Sequence, residues 1–172
     1  MPTAAHQLLF VTGASGVGKT STLRLFEQRR PDILVRYFDS DVPPPDIMID
    51  EYGSVEQWQR RRTIEWIGRI KTESLGRAPV ILDGQARQAF VDEACAIAGV
   101  SDYRIILFDC EDVVRERRLI ARGHPELANS KMANWARYLR DEASRRGDPI
   151  IDTTRLTVEE AGELLGQVAT QK

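Results

Sequence analysis

The stretch that most constrains this chain is Gly13-Ala14-Ser15-Gly16-Val17-Gly18-Lys19-Thr20. Glycine, four residues and then Gly-Lys-Thr is the spacing of a phosphate-binding loop. Glycines at 13, 16 and 18 let the backbone turn sharply, so that its N–H groups converge on an anion. A lysine at 19 reaches the outer phosphates as a point charge, and the Thr20 hydroxyl suits a Mg²⁺ ligand. The pattern needs a buried strand before it and a helix after it. Gln7 to Val11 supplies the apolar run, and Thr20 to Arg30 has Leu23 and Phe26 at core spacing before Pro31 stops it. A nucleoside triphosphate is therefore expected on Gly13, Ala14, Ser15, Gly16, Val17, Gly18, Lys19, Thr20 and Ser21, with the dipole of the following helix facing the same charge.

Composition narrows the setting. A chain of 172 residues, 42% hydrophobic and 29% charged, is long enough for one domain with a full core and ordinary for a globular protein. Lys and Arg number 24 against 26 Asp and Glu, so no global field recruits nucleic acid. Met1 to His6 has no charged segment leading into an apolar one, and no run reaches membrane-spanning length; a cytoplasmic location without membrane contact is expected. Cys95 and Cys110 lack metal-ligand spacing and read as reduced, buried thiols, and His6 and His124 show no zinc pattern.

Along the chain, Ile33 to Phe38 reads as a second strand leading into Asp39-Ser40-Asp41. At the carboxyl edge of a parallel sheet, where such sheets bind ligands, Asp39 and Asp41 point the same way and suit metal-shell, general-base or substrate-hydroxyl roles. The alternative is a turn or cap built from Asp and Ser. The three prolines at 43–45 predict a semi-rigid exposed loop through Gly53, and Ser54 with Gln57 opens a helix to about Leu75. Arg60, Arg61 and Arg62 on it spread around the circumference, as a solvated face or as part of an anion clamp. Pro79 to Leu82 is an apolar run ending in Asp83, an arrangement in which the carboxylate holds Mg²⁺ directly or through water. Gln85 and Arg87 follow and are placed to face a substrate.

A helix from Ala86 to Ala98, a strand from Tyr103 to Phe108 and a helix from about Glu111 come next. On the last of these, Arg115, Arg118 and Arg122 share a face by their i, i+3, i+7 spacing. Arg118 and Arg122 are the pair expected to stabilise charge on a transferring phosphoryl group; a surface helix balanced by Glu111, Asp112 and Glu116 is the alternative. Gly123-His124-Pro125 breaks the helix. A helix over 130–146, a fifth strand at 149–152 and a last helix capped by Thr157 and Glu160 complete the chain. Alternating strands and helices predict an α/β, three-layer fold, a five-stranded parallel sheet with helices on both faces. The expected organisation is a single domain over 1–172, with a substrate-binding segment at 42–75 and a lid at about 118–147.

These residues resemble the small P-loop phosphotransferases of the nucleoside-monophosphate-kinase type, especially shikimate and gluconate kinases. Phe38-Asp39-Ser40-Asp41 is similar to the Asp-x-Asp that ends the second strand of shikimate kinases. The resemblance implies Asp39 in the Mg²⁺ shell and Asp41 on substrate hydroxyls. The Arg-Arg-Leu-x-x-Arg run at 117–122 resembles the lid start, whose arginines touch nucleotide and transferred phosphate, and Ile151-Asp152-Thr153 resembles the link that flanks the adenine. Shikimate kinases carry three glycines where this chain has Asp83-Gly84-Gln85-Ala86-Arg87, and the proline-rich loop and the Trp58 helix differ from their substrate domain.

The expected function is ATP- and Mg²⁺-dependent transfer of a γ-phosphoryl group to a small-molecule acceptor, by a monomer or homodimer. Lys19 and backbone N–H groups would hold the phosphates, Thr20 and Asp39 the metal, and Arg118 and Arg122 the transition-state charge. Asp41 or Asp83 would orient or deprotonate the acceptor. The alternatives are a slowly hydrolysing regulatory NTPase and a nucleic-acid 5′-hydroxyl kinase, the latter opposed by the lack of basic charge.

Overall fold

The computed structural model describes residues 6–38 and 43–171. Five strands form one parallel sheet: β1 (Leu8–Thr12), β2 (Leu34–Tyr37), β3 (Val80–Asp83), β4 (Tyr103–Asp109) and β5 (Ile150–Asp152), in the order β2-β3-β1-β4-β5. β1 is the central strand and all five of its residues are buried. A strand covered by helices on both faces needs an apolar run rather than an alternation, and Leu-Leu-Phe-Val supplies one. Its register sets Val11 beside Asp83 and Thr12 beside Leu107. The carboxyl ends of β1, β3 and β4 thus meet along one edge.

Side chains of β1 alternate between two cores. Leu9 and Val11 face α1 (Lys19–Arg29) and α7 (Val158–Thr170) through Leu23, Phe26, Ala161 and Leu165. Leu8 and Phe10 face α3 (Val55–Glu73) and α4 (Gln88–Ala98) through Trp58, Ile67, Ile70, Val91 and Ala94. Fully burying one such aliphatic or aromatic side chain stabilises the fold by about 1.5–3 kcal/mol, so either layer alone outweighs any propensity term in its helices. α6 (Ser130–Arg146) covers β4 with Leu139 and Ala143 against Leu107, and α5 (Asp112–Ala121) lies beside the loop after β1. Between α5 and α6 the connection is residues 122–129.

The expected caps form. Ser54 Oγ accepts the Gln57 N–H at 3.1 Å, and Thr157 and Glu160 make a reciprocal capping box. The proline-rich stretch corrects one expectation, since residues predicted as loop form α2 (Pro45–Tyr52). Pro45 is the first helical residue, where a missing N–H costs nothing and a fixed φ favours the helix. Met48 is buried against the α3 core, and Gly53 ends the helix in the left-handed region. No helix among the described residues is long and apolar enough to cross a membrane. Cys95 and Cys110 are both buried and free, and burial pushes the Cys95 thiol up to about 12.

Candidate active site

Residues 13–18 leave β1 as a turn that ends at the N-terminus of α1, which begins at Lys19. Lys19 is 6% exposed; its ammonium donates to the Gly13 carbonyl at 2.9 Å and lies 3.9 Å from Asp83 Oδ1. Thr20 Oγ1 donates to Asp83 Oδ2 at 3.0 Å. The second carboxylate oxygen, Asp83 Oδ1, is buried without a hydrogen-bond partner. Buried polar atoms are nearly always satisfied, so an oxygen of this kind is an acceptor available to a ligand. A hydroxyl and a carboxylate oxygen side by side, beside the phosphate loop, are the hard donors that a hydrated Mg²⁺ takes. The residues therefore fit the metal that the motif implies.

Burial raises the Asp83 carboxyl above its ordinary value, against the opposing pull of the Lys19 charge and the Thr20 hydrogen bond. A raised folded-state value means that the carboxyl contributes stability below the ordinary carboxylate range, near pH ~4, and loses it as pH rises through the raised value. Asp83→Asn should accordingly flatten this part of the pH–stability curve of the nucleotide-free protein. Thermal unfolding from about pH 4 upward checks it; an unchanged curve would mean that the carboxyl is not perturbed. Asp39 and Asp41, expected in the metal shell and on the acceptor, lie outside the described residues.

The three arginines expected on one face of α5 take three different positions, and Arg122 lies just past the helix as its C-cap. Arg115 is 1% exposed, ion-paired with Asp112 at 2.8 Å and packed under the phosphate loop. Gly16 has φ +88°, and a Cβ there would stand 2.9 Å from Arg115 Cγ and 2.9 Å from Leu119 Cγ. Gly16→Ala is expected to cost on the order of 1–3 kcal/mol of stability from the backbone alone and to push α5 off the loop. Calorimetry together with nucleotide affinity tests this, and a loss in neither would remove the packing argument.

Arg118 donates to Thr153 Oγ1 at 3.0 Å and to the Thr153 carbonyl at 2.7 Å. It lines a cavity of about 140 Å³ with Val17, Ser21, Thr153, Leu156 and Val158. Arg122 donates to Ser21 Oγ at 3.3 Å and lines both that cavity and a second one of about 280 Å³. The second holds Ser15, Lys19, Thr20, Gln85 and His124. The expected pair is thus divided: Arg122 reaches the phosphate cavity, and Arg118 stands on the apolar side between α1 and the β5–α7 link.

On the far side of the phosphate loop, the Gln85 amide donates to Ser15 Oγ at 2.9 Å. Gln59 on α3 donates to the Gln85 carbonyl at 2.7 Å and accepts from the Arg87 N–H at 3.2 Å. Thr12 Oγ1 donates to the Ala86 carbonyl at 2.9 Å. These bonds tie α3, the link after β3 and the phosphate loop into one frame. Gln85 reaches the site as expected. Arg87 does not line the phosphate cavity: its guanidinium sits over the rings of Phe90, Trp135 and Tyr138, 3.3 Å from Glu56. The arginine run on α3 is dispersed, with Arg60 paired to Glu93, Arg61 over Tyr52 and Arg62 paired to Glu65. Gln59, Thr12 and His124 were not anticipated at the site. A polar residue closing an apolar strand, as Thr12 does, was the available signal for one of them; Gln59 and His124 had none in spacing.

A larger cavity, about 640 Å³, lies between the ends of β4 and β5 and helices α5 and α6. Its charged lining is Asp109, Glu111, Asp112 and Asp152 against the single Arg140, and it includes no residue of the phosphate loop. The sign of that charge repels a polyphosphate, unlike the cavity lined by Lys19 and Arg122.

No family model matches this sequence. Among solved structures, the chain is similar to a shikimate kinase from Acinetobacter baumannii in complex with shikimate, at 15% identity over 96% of this chain and 93% of that one, with a TM-score of 0.66. It is similar to a gluconokinase from Sinorhizobium meliloti 1021 at 18% identity, covering 98% and 94% of the two chains, TM-score 0.66. A thymidylate kinase from Candida albicans matches at 12% identity over 96% and 92%, TM-score 0.63. The fold of this chain, a five-stranded parallel sheet with the phosphate loop after its central strand, is that of the P-loop kinases of nucleoside-monophosphate-kinase type.

Proposed function

We propose that the chain is a phosphotransferase moving the γ-phosphoryl group of ATP to a small-molecule acceptor, with Mg²⁺ as cofactor. The observation that carries this reading is the bond from Thr20 to the buried Asp83, whose Oδ1 has no hydrogen-bond partner, beside a cavity lined by Lys19 and Thr20. Backbone N–H groups of residues 13–18 cradle the phosphates, and Lys19 turns from the Gly13 carbonyl to the outer phosphate oxygens. Bound Mg²⁺ supplies neutralisation of charge that builds on the β- and γ-oxygens; Thr20 and Asp83 would hold it, with Asp39 completing the shell. Arg122 contributes charge to the transferring group, and Arg118 with Thr153 positions the base end of the nucleotide.

On the acceptor side, segment 42–75 would supply one wall through α3, which the Gln59 bonds tie to the link after β3. Asp41 would orient or deprotonate the acceptor. Shikimate and gluconate are the acceptors suggested by the names of structural relatives. A cytoplasmic setting suits an ATP user.

ATP consumption across polyols, sugar acids, nucleosides and nucleotides tests the reading, with acceptor-free hydrolysis as baseline. An acceptor that raises turnover and appears as a phosphorylated product supports it. Slow turnover that no acceptor stimulates favours a regulatory NTPase instead.

A further inference from the structure

His124 enters the phosphate cavity by a specific piece of backbone geometry. Gly123 has φ +80° and ends α5, donating its N–H to the Ile120 carbonyl at 3.0 Å, while the His124 N–H donates to the Leu119 carbonyl at 3.0 Å. These two bonds make a Schellman ending, which reverses the chain and locks the next residue against the helix end. The residue so locked is His124, and its side chain lines the same cavity as Lys19, Thr20, Gln85 and Arg122. Its Nδ1 faces a carboxylate oxygen of Glu126 at 3.2 Å, on the short 3₁₀ turn Pro125–Leu127. A carboxylate acceptor at Nδ1 places the proton there and leaves Nε2 for another partner.

We propose that His124 is a ligand of the γ-phosphoryl group, its Nε2–H donating to a phosphoryl oxygen as the connection between α5 and α6 closes over bound ATP. The proposal rests on the reading that a nucleoside triphosphate occupies this cavity. The charges of the segment leave that place open. Arg115 is buried against Asp112, and Arg118 is held at Thr153, so Arg122 and His124 are the cationic groups of 115–124 that line the cavity. The charged groups facing His124 are Lys19 and Arg122 across the cavity, Glu126 on its own turn, and Asp83 behind Thr20. With Glu126 accepting at Nδ1, the imidazolium form of the ring donates its Nε2–H to a phosphoryl oxygen. No bond to the ring forms or breaks; its contribution is a charge-assisted hydrogen bond that tightens as the phosphoryl group moves.

The chain has only two histidines, and His6, paired with Asp102 beside the start of β1, is remote from the carboxyl edge of the sheet. The imidazole C2 protons therefore give two signals, and His124→Gln assigns them. Saturation with Mg²⁺ and a non-hydrolysable β,γ-imido ATP should shift the His124 signal at fixed pH. The His6 signal should not follow, and ADP should move the His124 signal less than the triphosphate does. In turnover, His124→Gln should lower kcat on the order of 10²-fold with a KM for ATP within about threefold of the parent, and Glu126→Gln should have a smaller effect in the same direction. The thermal shift produced by the analogue separates the two ways of failing. If the analogue raises the unfolding temperature while the His124 signal and kcat of His124→Gln stay as in the parent, His124 is an exposed surface pair with Glu126 and the proposal is overturned. If the analogue produces no thermal shift in the parent protein, the nucleotide reading fails and takes the proposal with it.

Discussion

Lys19→Ala is expected to lower kcat/KM for ATP by about 10³-fold or more, equivalent to at least ~4 kcal/mol of transition-state stabilisation. The lysine is almost fully buried and holds its ammonium on the Gly13 carbonyl of the loop, 3.9 Å from Asp83. A cation buried at that place has a large effect, because little water screens it as charge moves. The fold should survive, since the strand and helix on either side of the loop are held by Leu9, Val11, Leu23 and Phe26 rather than by the ammonium. Lys19→Met keeps the aliphatic stem and removes only the charge. Lys19→Arg should not rescue, because a planar fork does not fit where a point charge sits. ATP turnover and thermal unfolding of all three variants decide the matter. Parent-like turnover in Lys19→Met would place the chemistry elsewhere.

The second large effect is expected from the arginines of α5, and the structure separates them. Arg122 lines the phosphate cavity and bonds Ser21, so Arg122→Ala should reduce kcat on the order of 10²-fold with a smaller change in nucleotide affinity. Arg118 is anchored by two bonds to Thr153 on the apolar side, so Arg118→Ala should act first on the KM for ATP. Lysine at 122 should rescue only in part. Residues 122–129 should also become less sensitive to protease when ATP and acceptor are present together. Identical kinetic changes in the two alanine variants would contradict the division. Cleavage that ignores ligands, with near-normal kcat in both, would make these arginines a solvated helix face.

How much of this was legible in advance varies with the range of the interaction. The phosphate loop, the caps at Ser54 and Thr157 and the α/β alternation were all readable, because each depends on residues within a few positions of one another. The proline-rich segment misled for a local reason as well: three prolines look like loop until one of them is seen to occupy the first turn of a helix. Arg115, Arg118 and Arg122 show where locality ends. Helical periodicity put them on one face, but Gly16, Thr153 and Ser21 give each a different neighbour, and all three lie far from α5 along the chain.

By itself, then, the sequence determined the loop that grips phosphate, the strand and helix around it, and Asp83 as the acid at the end of the third strand. Backbone torsions and hydrophobic periods are set over a turn or two of chain, and glycine, lysine and threonine at fixed spacing leave few alternatives. Only the tertiary structure decided that Asp83 Oδ1 is buried without a hydrogen-bond partner, that Gln59 ties α3 to the link after β3, and that His124 lines one cavity with Lys19. These facts follow from sheet order and helix packing, which bring Thr20 to Asp83 and Gln59 to Gln85 across long stretches of chain. No pattern along the sequence encodes such distances; they are fixed when both faces of β1 are buried and the carboxyl ends of its neighbours are drawn to one edge.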